Sequence, residues 1–232
     1  FHCVGLIGRW MYGIPGPKGK VASSMNLYVW ATESSTQMGG SIQGTELDLS
    51  TAVTTLAGGS LAGSTDHNTG TSAQFYYPSG ITTDGTNLYV SDMINHRIRK
   101  IVISTGVVTT LAGSSQGSTD HNTGTSASFN APEGITTDGT NLYVSDTGNH
   151  RIRKIVISTG VVTTLAGSSS GSTDHNTGTS ASFNAPRGIT TDGTNLYVSD
   201  TGNHRIRKIV ISTGVVTTLA GSSSGSTDHN TG

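Results

Sequence analysis

The stretch GITTDGTNLYVSDTGNHRIRKIVISTGVVTTLAG, residues 134–167, decides the fold. Gly134-Ile-Thr-Thr-Asp138 is a short strand, closed by a turn at Asp138-Gly-Thr-Asn141. Asn141 to Asp146 alternates, with Leu142 and Val144 on one face and Tyr143 and Ser145 on the other. Thr147-Gly-Asn-His150 reverses the chain, and Arg151 to Ser158 is a third strand. Ser158-Thr-Gly160 is a tight turn in which glycine supplies a positive φ, and Val161 to Ala166 is a fourth strand. A loop from Gly167 to Arg187 follows, rich in glycine and serine. Phe183 and Pro186 are placed to fold it back and pin it.

This unit recurs. DGTNLYVSD begins at Asp84, Asp138 and Asp192, a spacing of 54 residues. Residues 84–137 and 138–191 differ at four positions only: Met93/Thr147, Ile94/Gly148, Gln116/Ser170 and Glu133/Arg187. Residues 192–232 repeat 138–178 without change. A diverged copy comes first, with Asn26-Leu-Tyr-Val29 and Val53-Thr-Thr-Leu-Ala-Gly58 as its landmarks. Four units result, at approximately 17–78, 79–132, 133–186 and 187–232, after an unassigned segment 1–16. The last unit shows none of the divergence that end repeats usually carry, so the chain reads as part of a longer array.

Four short antiparallel strands per unit, in tandem, predict an all-β protein: a β-propeller of four-stranded blades, with the units forming an open arc or a small closed ring. One blade alone has too few apolar residues to offset its ordering entropy. Ile135, Leu142, Val144, Ile152, Ile155, Ile157, Val162 and Leu165 must therefore bury against neighbouring blades. A stacked β-solenoid is the alternative, but its coils are usually shorter and lack three hairpin turns per period.

Composition agrees. Of 232 residues, 32 are Gly, 37 Thr and 31 Ser, and only 12% are charged. Abundant β-branched residues argue against an all-α protein. A formal charge of −1 gives no bulk attraction to nucleic acid or acidic membranes. A single Cys excludes an intrachain disulfide framework and a thiolate zinc site. No apolar run approaches the roughly 18 residues needed to span a bilayer. Low charge and abundant Ser, Thr and Gly point to a secreted, cell-surface or periplasmic setting.

NLYVSDTGNHRIRKI, then GVVTTLAG, a DHNTG loop and A-S-F-N-A-P-x-G-I, resembles the NHL repeat in tandem arrays of bacterial type. Asn149-His-Arg151 stands for its signature. The match covers three units well. The first unit has Ala31-Thr-Glu-Ser34 in place of SDTG and lacks the NHR triplet. NHL propellers commonly have five or six blades, which implies that four units form an arc or a smaller ring.

Antiparallel order places the 1–2 and 3–4 turns at one end of each blade, and the 2–3 turn with the long 4–1 connection at the other. All four differences between the near-identical repeats fall at that second end. It is therefore the expected interaction surface, with candidate binding residues Met93, Ile94, Asn95, His96, Glu133, Asn149, His150, Arg187, Asn203 and His204. The Asp174-His-Asn176 loop is expected on the same face. The partner classes are a protein, a glycan or a small ligand, and no cofactor is implied.

Other chemistries compete. Asp146, His150 and Arg151 resemble an acid–base set, but the trio recurs in every unit, as a scaffold of turn hydrogen bonds would. Asp174-His-Asn-Thr-Gly178 offers one carboxylate and no glutamate at the twelfth position, too few ligands for calcium. His67, His121, His175 and His229 suit a transition metal only if they line one ring. Arg151, Arg153 and Lys154 form one basic cluster per blade, which the resemblance links to RNA-binding relatives. Aromatic stacking residues are sparse there, so nucleic acid is not the expected partner. The resemblance also extends to metal-dependent lyases and lactonase-type hydrolases, which need blades playing different roles. Only the first unit, with Glu33 and Glu46, differs much. Gly13 to Lys20 mimics collagen triplets but is too short to nucleate a triple helix. Identical blades can also exchange between chains, so a homo-oligomer through blade edges or faces is a further expectation.

Overall fold

A computed structural model of the chain describes residues 54–222. The segment 1–16, most of the first unit with Glu33 and Glu46, the collagen-like stretch and His229 lie outside the described residues.

The described chain forms three four-stranded antiparallel sheets. Blade 1 comprises β1 (Pro78–Thr83), β2 (Asn87–Asp92), β3 (Arg97–Val102) and β4 (Val108–Ala112). Blade 2 comprises β5 (Pro132–Thr137), β6 (Asn141–Asp146), β7 (Arg151–Val156) and β8 (Val162–Ala166). Blade 3 comprises β9 (Pro186–Thr191), β10 (Asn195–Asp200), β11 (Arg205–Val210) and β12 (Val216–Ala220). Each sheet runs in sequence order, the meander of a propeller blade. The three described blades form an open run rather than a closed ring: β1 packs on β5, and β5 on β9.

Two boundaries differ by two residues from the sequence expectation, and the end of the first strand (Thr137) and start of the fourth (Val162) by one. The first strand starts at Pro132 rather than Gly134, because Pro132 already pairs with Asp146 ahead of a bulge before Ile135. A proline fits there, since β5 is an edge strand. The third strand ends at Val156 rather than Ser158, because Gly160 N–H turns back to Val156 O at 2.8 Å.

Successive first strands approach closely through glycine. A Cβ on Gly134 would strike the carbonyl oxygen of Arg187, and one on Gly80 that of Glu133. The blades fan outward from this line of contact, and apolar flanks seal the joints. Tyr89, Ile98, Ala112 and Phe129 pack with Ile135, Leu142, Val144 and Ile155, all buried. Tyr143, Ile152, Ala166 and Phe183 pack with Leu196, Val198 and Ile209 in the next joint. At about 25 cal/mol per Å² of apolar surface, such joints rather than single sheets carry the stability.

The long connection folds back as expected: Phe129 and Phe183 are fully buried. Its course, however, corrects one placement. The Asp174-His-Asn176 stretch does not stand on the face of the 2–3 turns. His175 pairs with Val216 at the far end of β12, and Gly178 abuts Gly214 in the β11–β12 turn. The connection thus runs down the outer edge of the following blade before returning through Phe183.

Candidate functional site

The 2–3 turns are Met93–His96, Thr147–His150 and Thr201–His204. In each, the last residue sits in the left-handed region, at φ 55° for His96, 57° for His150 and 56° for His204. Histidine tolerates this conformation better than bulkier residues do. The turn places Asn149 and His150 against the joint. Asn149 Nδ2 donates to Gly117 O at 2.6 Å and to Asp146 Oδ2 at 2.8 Å. Asn95 and Asn203 make the same pairs with Gly63 and Asp92, and with Gly171 and Asp200. His150 Nδ1 accepts the Ala185 N–H at 3.0 Å, and His96 Nδ1 the Ala131 N–H at 3.1 Å. These side chains tie each turn to the neighbouring connection.

Beneath the turn lies a buried ionic latch. Arg153 is fully buried. Its Nη1 donates to Asp146 Oδ2 at 2.8 Å and to Ser128 O at 3.0 Å. Its Nη2 donates to Asp120 Oδ1 at 2.6 Å and to Thr119 O at 3.0 Å. The guanidinium also covers the Phe129 ring, 4.9 Å from its centroid. Asp120 accepts the Thr164 N–H through its other oxygen, so one carboxylate joins the connection to β7 and β8. Arg99 with Asp66 and Asp92, and Arg207 with Asp174 and Asp200, repeat the latch. Burial pushes the Asp146 carboxyl up, against the N–H of Asn130, the Asn149 amide and Arg153.

The latch decides three competing chemistries. Arg153 does not belong to an exposed basic cluster with Arg151 and Lys154. Strand alternation turns it into the joint, where two carboxylates take its donors. Asp146 accepts from Asn130, Asn149 and Arg153, whereas His150 accepts from Ala185, so the acid–base pair does not assemble. Asp174 is held by Arg207 and Thr218, and its oxygens face protein donors. His67, His121 and His175 each bond a nearby backbone group and pair with the outer strands β4, β8 and β12. They line no common ring. Among the described residues no cluster of three His, Cys, Asp or Glu side chains has metal-binding spacing.

At the opposite end, the Asp-Gly turns are clasped. Asp84 accepts the N–H groups of Thr86 and Asn87 and the Tyr89 hydroxyl at 2.8 Å. Burial works to raise its carboxyl, but these donors outweigh it and hold the group below the usual carboxylate range. Burial and Asp84 together push Tyr89 up to about 12.

What the internal network leaves at the surface is part of the variable set, Met93 and Ile94 of blade 1 with Glu133 and Arg187. Ile94 is 39% exposed and Met93 half-buried, where blade 2 has buried Thr147 and exposed Gly148. Arg187 stands on β9 with its side chain 59% exposed, its Nε 3.7 Å from Glu133 on β5. Two residues outside the near-identical repeats join Met93 and Ile94. Tyr76 and Tyr77 are both exposed, their rings 5.4 Å apart. Their carbonyls accept the N–H groups of Ile94 and Met93. The match of Phe75-Tyr-Tyr-Pro78 to Phe129-Asn-Ala-Pro132 is the sequence signal that reveals them. Of the ten predicted residues, the structure brings Met93 and Ile94 together with this tyrosine pair, and Glu133 together with Arg187. It places Asn95, His96, Asn149, His150 and Asn203 in the hydrogen-bonded joint, and His204 exposed at the end of the run.

Tandem four-stranded meanders, fanned from their first strands and sealed flank to flank, define a β-propeller repeat protein. The NHL repeat profile matches residues 129–155 and 183–209, one core segment in each of two successive units. NHL repeat-containing protein 2 of Gallus gallus is 39% identical over 92 residues, covering 39% of this chain and 12% of that protein. Its Homo sapiens counterpart is 39% identical over 103 residues, covering 41% of this chain and 14% of that protein. The chain thus spans a small fraction of these relatives. Both are animal proteins, so they give no support to an array of bacterial type. An auxiliary nutrient binding protein from Bacteroides thetaiotaomicron superposes with a TM-score of 0.50 at 25% identity, covering 62% of this chain and 37% of that one. Two successive units of this chain thus carry NHL repeats.

Proposed function

We propose that this chain is a non-catalytic binding module that presents the 2–3 turns and the rims of the first strands to a protein, glycan or small ligand. One observation carries the reading. The recurring Asp, Arg, Asn and His groups bond within the joints, while Ile94, Glu133 and Arg187, at positions that differ between blades, reach the surface. Met93, Ile94, Tyr76 and Tyr77 give one blade an aromatic, apolar tip, and Glu133 and Arg187 give its neighbours opposite charges. A rigid frame with variable tips suits recognition. The binding role named for the Bacteroides neighbour agrees with it. The low charge and polar composition extend the reading to an extracellular or cell-surface setting.

The test is a screen of glycans, peptides and small metabolites by calorimetry, followed by replacement of Met93 and Ile94 with the Thr and Gly that blade 2 tolerates. Affinity for any ligand found should fall about tenfold or more, the loss of roughly 1.4 kcal/mol expected for an interface anchor. The same ligand should bind normally to a variant altered at the Asp84-Gly85 turn. Turnover of a lactone or peptidyl substrate, or binding lost at the Asp-Gly turn and kept at Met93 and Ile94, would reverse the assignment.

A further inference from the structure

Strand alternation sends Lys154 to the same face of β7 as Ile152, which packs in the joint with blade 3. Lys154 lies opposite Thr163 on β8. It borders a cleft of about 360 Å³ between blades 2 and 3, closed on the far side by the β11–β12 turn, Ile211 to Gly214. A volume in the range of about 300–1,000 Å³ holds a small ligand. Both walls of this cleft are described blades in contact with each other.

The cleft combines three chemistries. Its floor is apolar: Leu165 and Ile211 are half-buried against the core of the joint. Its rim carries hydroxyls. Those of Thr163, Thr177 and Thr179 are exposed and bond to no described residue, whereas the Thr164 hydroxyl donates to Asp120. Its charge is one half-buried ammonium. Every ion pair among the described residues is made by an arginine, so Lys154 has none, and no carboxylate lines the cleft. A close approach fixes the walls: a Cβ on Gly178 would lie 2.7 Å from Gly214 O. The joint between blades 1 and 2 repeats the arrangement. Lys100 is half-buried, Thr109, Thr123 and Thr125 are exposed, and Leu111 and Ile157 pack on the core. A Cβ on Gly124 would lie 2.7 Å from Gly160 O.

We propose that this cleft binds a sugar unit carrying a single negative charge, with its acid group on Lys154 Nζ. The C–H face of the sugar ring covers Leu165 and Ile211, and its hydroxyls pair with the threonines of the rim. The lining selects this class against its neighbours. An apolar ligand would cover the rim hydroxyls without pairing them. A neutral sugar would cover the ammonium without a counter-charge. A phosphate monoester, at about −1.5 to −2, exceeds the one positive charge present. The sequence of the cleft is the same in both joints, so both take the ligand. The cleft lies at the end of the blades opposite the 2–3 turns, so the inference is independent of the binding surface proposed there.

Calorimetric titration of the full 232-residue chain tests it, with an oligogalacturonate, a sulfated galactan oligosaccharide and the neutral galactan oligosaccharide as probes. At least one acidic probe should bind and the neutral one should not. Whichever acidic probe binds more tightly identifies the acid group as carboxylate or sulfate ester. Gln at Lys100, Lys154 and the corresponding Lys208 should weaken binding about tenfold, the order of a charged hydrogen bond, with an unchanged thermal midpoint. Arg at the same three positions keeps the charge and should retain most of the affinity. Thr125→Val with Thr179→Val changes no charge and should weaken binding about threefold, the order of a neutral hydrogen bond. Failure of both acidic probes to bind overturns the proposal. So does equal binding of the neutral probe, or an affinity that the glutamine substitutions leave unchanged.

Discussion

Asp146 and Arg153 recur unchanged in the three described blades, as Asp92 with Arg99 and Asp200 with Arg207. The two residues after that aspartate do not: blade 1 has Met93-Ile94, the others Thr-Gly. The invariant pair is charged and buried, whereas the variable pair of blade 1 is apolar with Ile94 exposed, and that of blade 2 has Thr147 buried and Gly148 exposed. This inverts the usual expectation that charge marks function and apolar residues mark core. In a repeat protein each joint must lock the next unit in one orientation, and a buried arginine with five directional donors does so.

The contrast breaks most severely at the arginine. Arg153→Met keeps the volume but strands Asp146 with an uncompensated charge, and should cost about 3–5 kcal/mol of stability in urea unfolding. Replacing Asp146 by Asn in the same chain should recover part of the loss, because the orphaned charge is gone. If Arg153→Met were as stable as wild type, the latch would be dispensable and the locking argument would fail.

At the variable pair the expected effect is smaller and depends on context. A Cβ on Gly148 would lie 2.5 Å from Asn130 Nδ2 and 2.9 Å from Asn130 O, so glycine is required while Asn130 is present. In blade 1, Ile94 occupies that position with Tyr76 in place of the asparagine. Gly148→Ile should cost about 1–3 kcal/mol from crowding. Adding Asn130→Tyr should restore much of it, giving a coupling of about 0.5–3 kcal/mol in a double-mutant cycle. Additive effects would mean that the Tyr76–Ile94 pairing is incidental.

Asp120 grades the comparison from within the latch. Its side chain is 43% exposed, so water can replace it as the partner of Arg153. Asp120→Asn should cost about 1 kcal/mol by chemical denaturation, the order of one charged hydrogen bond, and less than the loss of Arg153.

Strand alternation made the meander legible: Asn141–Asp146 forms as the pattern requires, and the predicted apolar flank residues lie in the joints. Phe183 and Pro186 showed that the long connection returns. The latch was not legible, because Arg153 meets Asp146 seven residues away and Asp120 thirty-three away. Local sequence shows only Arg-Ile-Arg-Lys, which looks like a solvated cluster. The clue was Arg153 sharing a strand face with Ile155, a position that a propeller buries. For the surface residues the reverse holds. Met93 and Ile94 stood out as differences between repeats, while Tyr76 and Tyr77 lay just before the near-identical segment and escaped the comparison.

The smallest effect belongs to His96, where the joint and the turn meet. Its Nδ1 accepts the Ala131 N–H, a bond that only neutral imidazole makes. Burial lowers its pKa from the ordinary 6.5, with the Asp146 charge pulling the other way. The sign follows from proton uptake. Below 6.5 the unfolded chain binds a proton that the folded chain resists, so the contribution of His96 is complete above that value and declines as the pH falls toward its folded pKa. His96→Asn keeps an acceptor, tolerates the positive φ and does not titrate. The thermal midpoint of wild type should therefore fall relative to His96→Asn as the buffer is taken from pH 7.5 to 5.5. Parallel curves would show that the Ala131 bond is absent in solution. The turn would then be held by Asn95 and the latch alone, and the boundary between frame and variable tip would lie one residue nearer the strand.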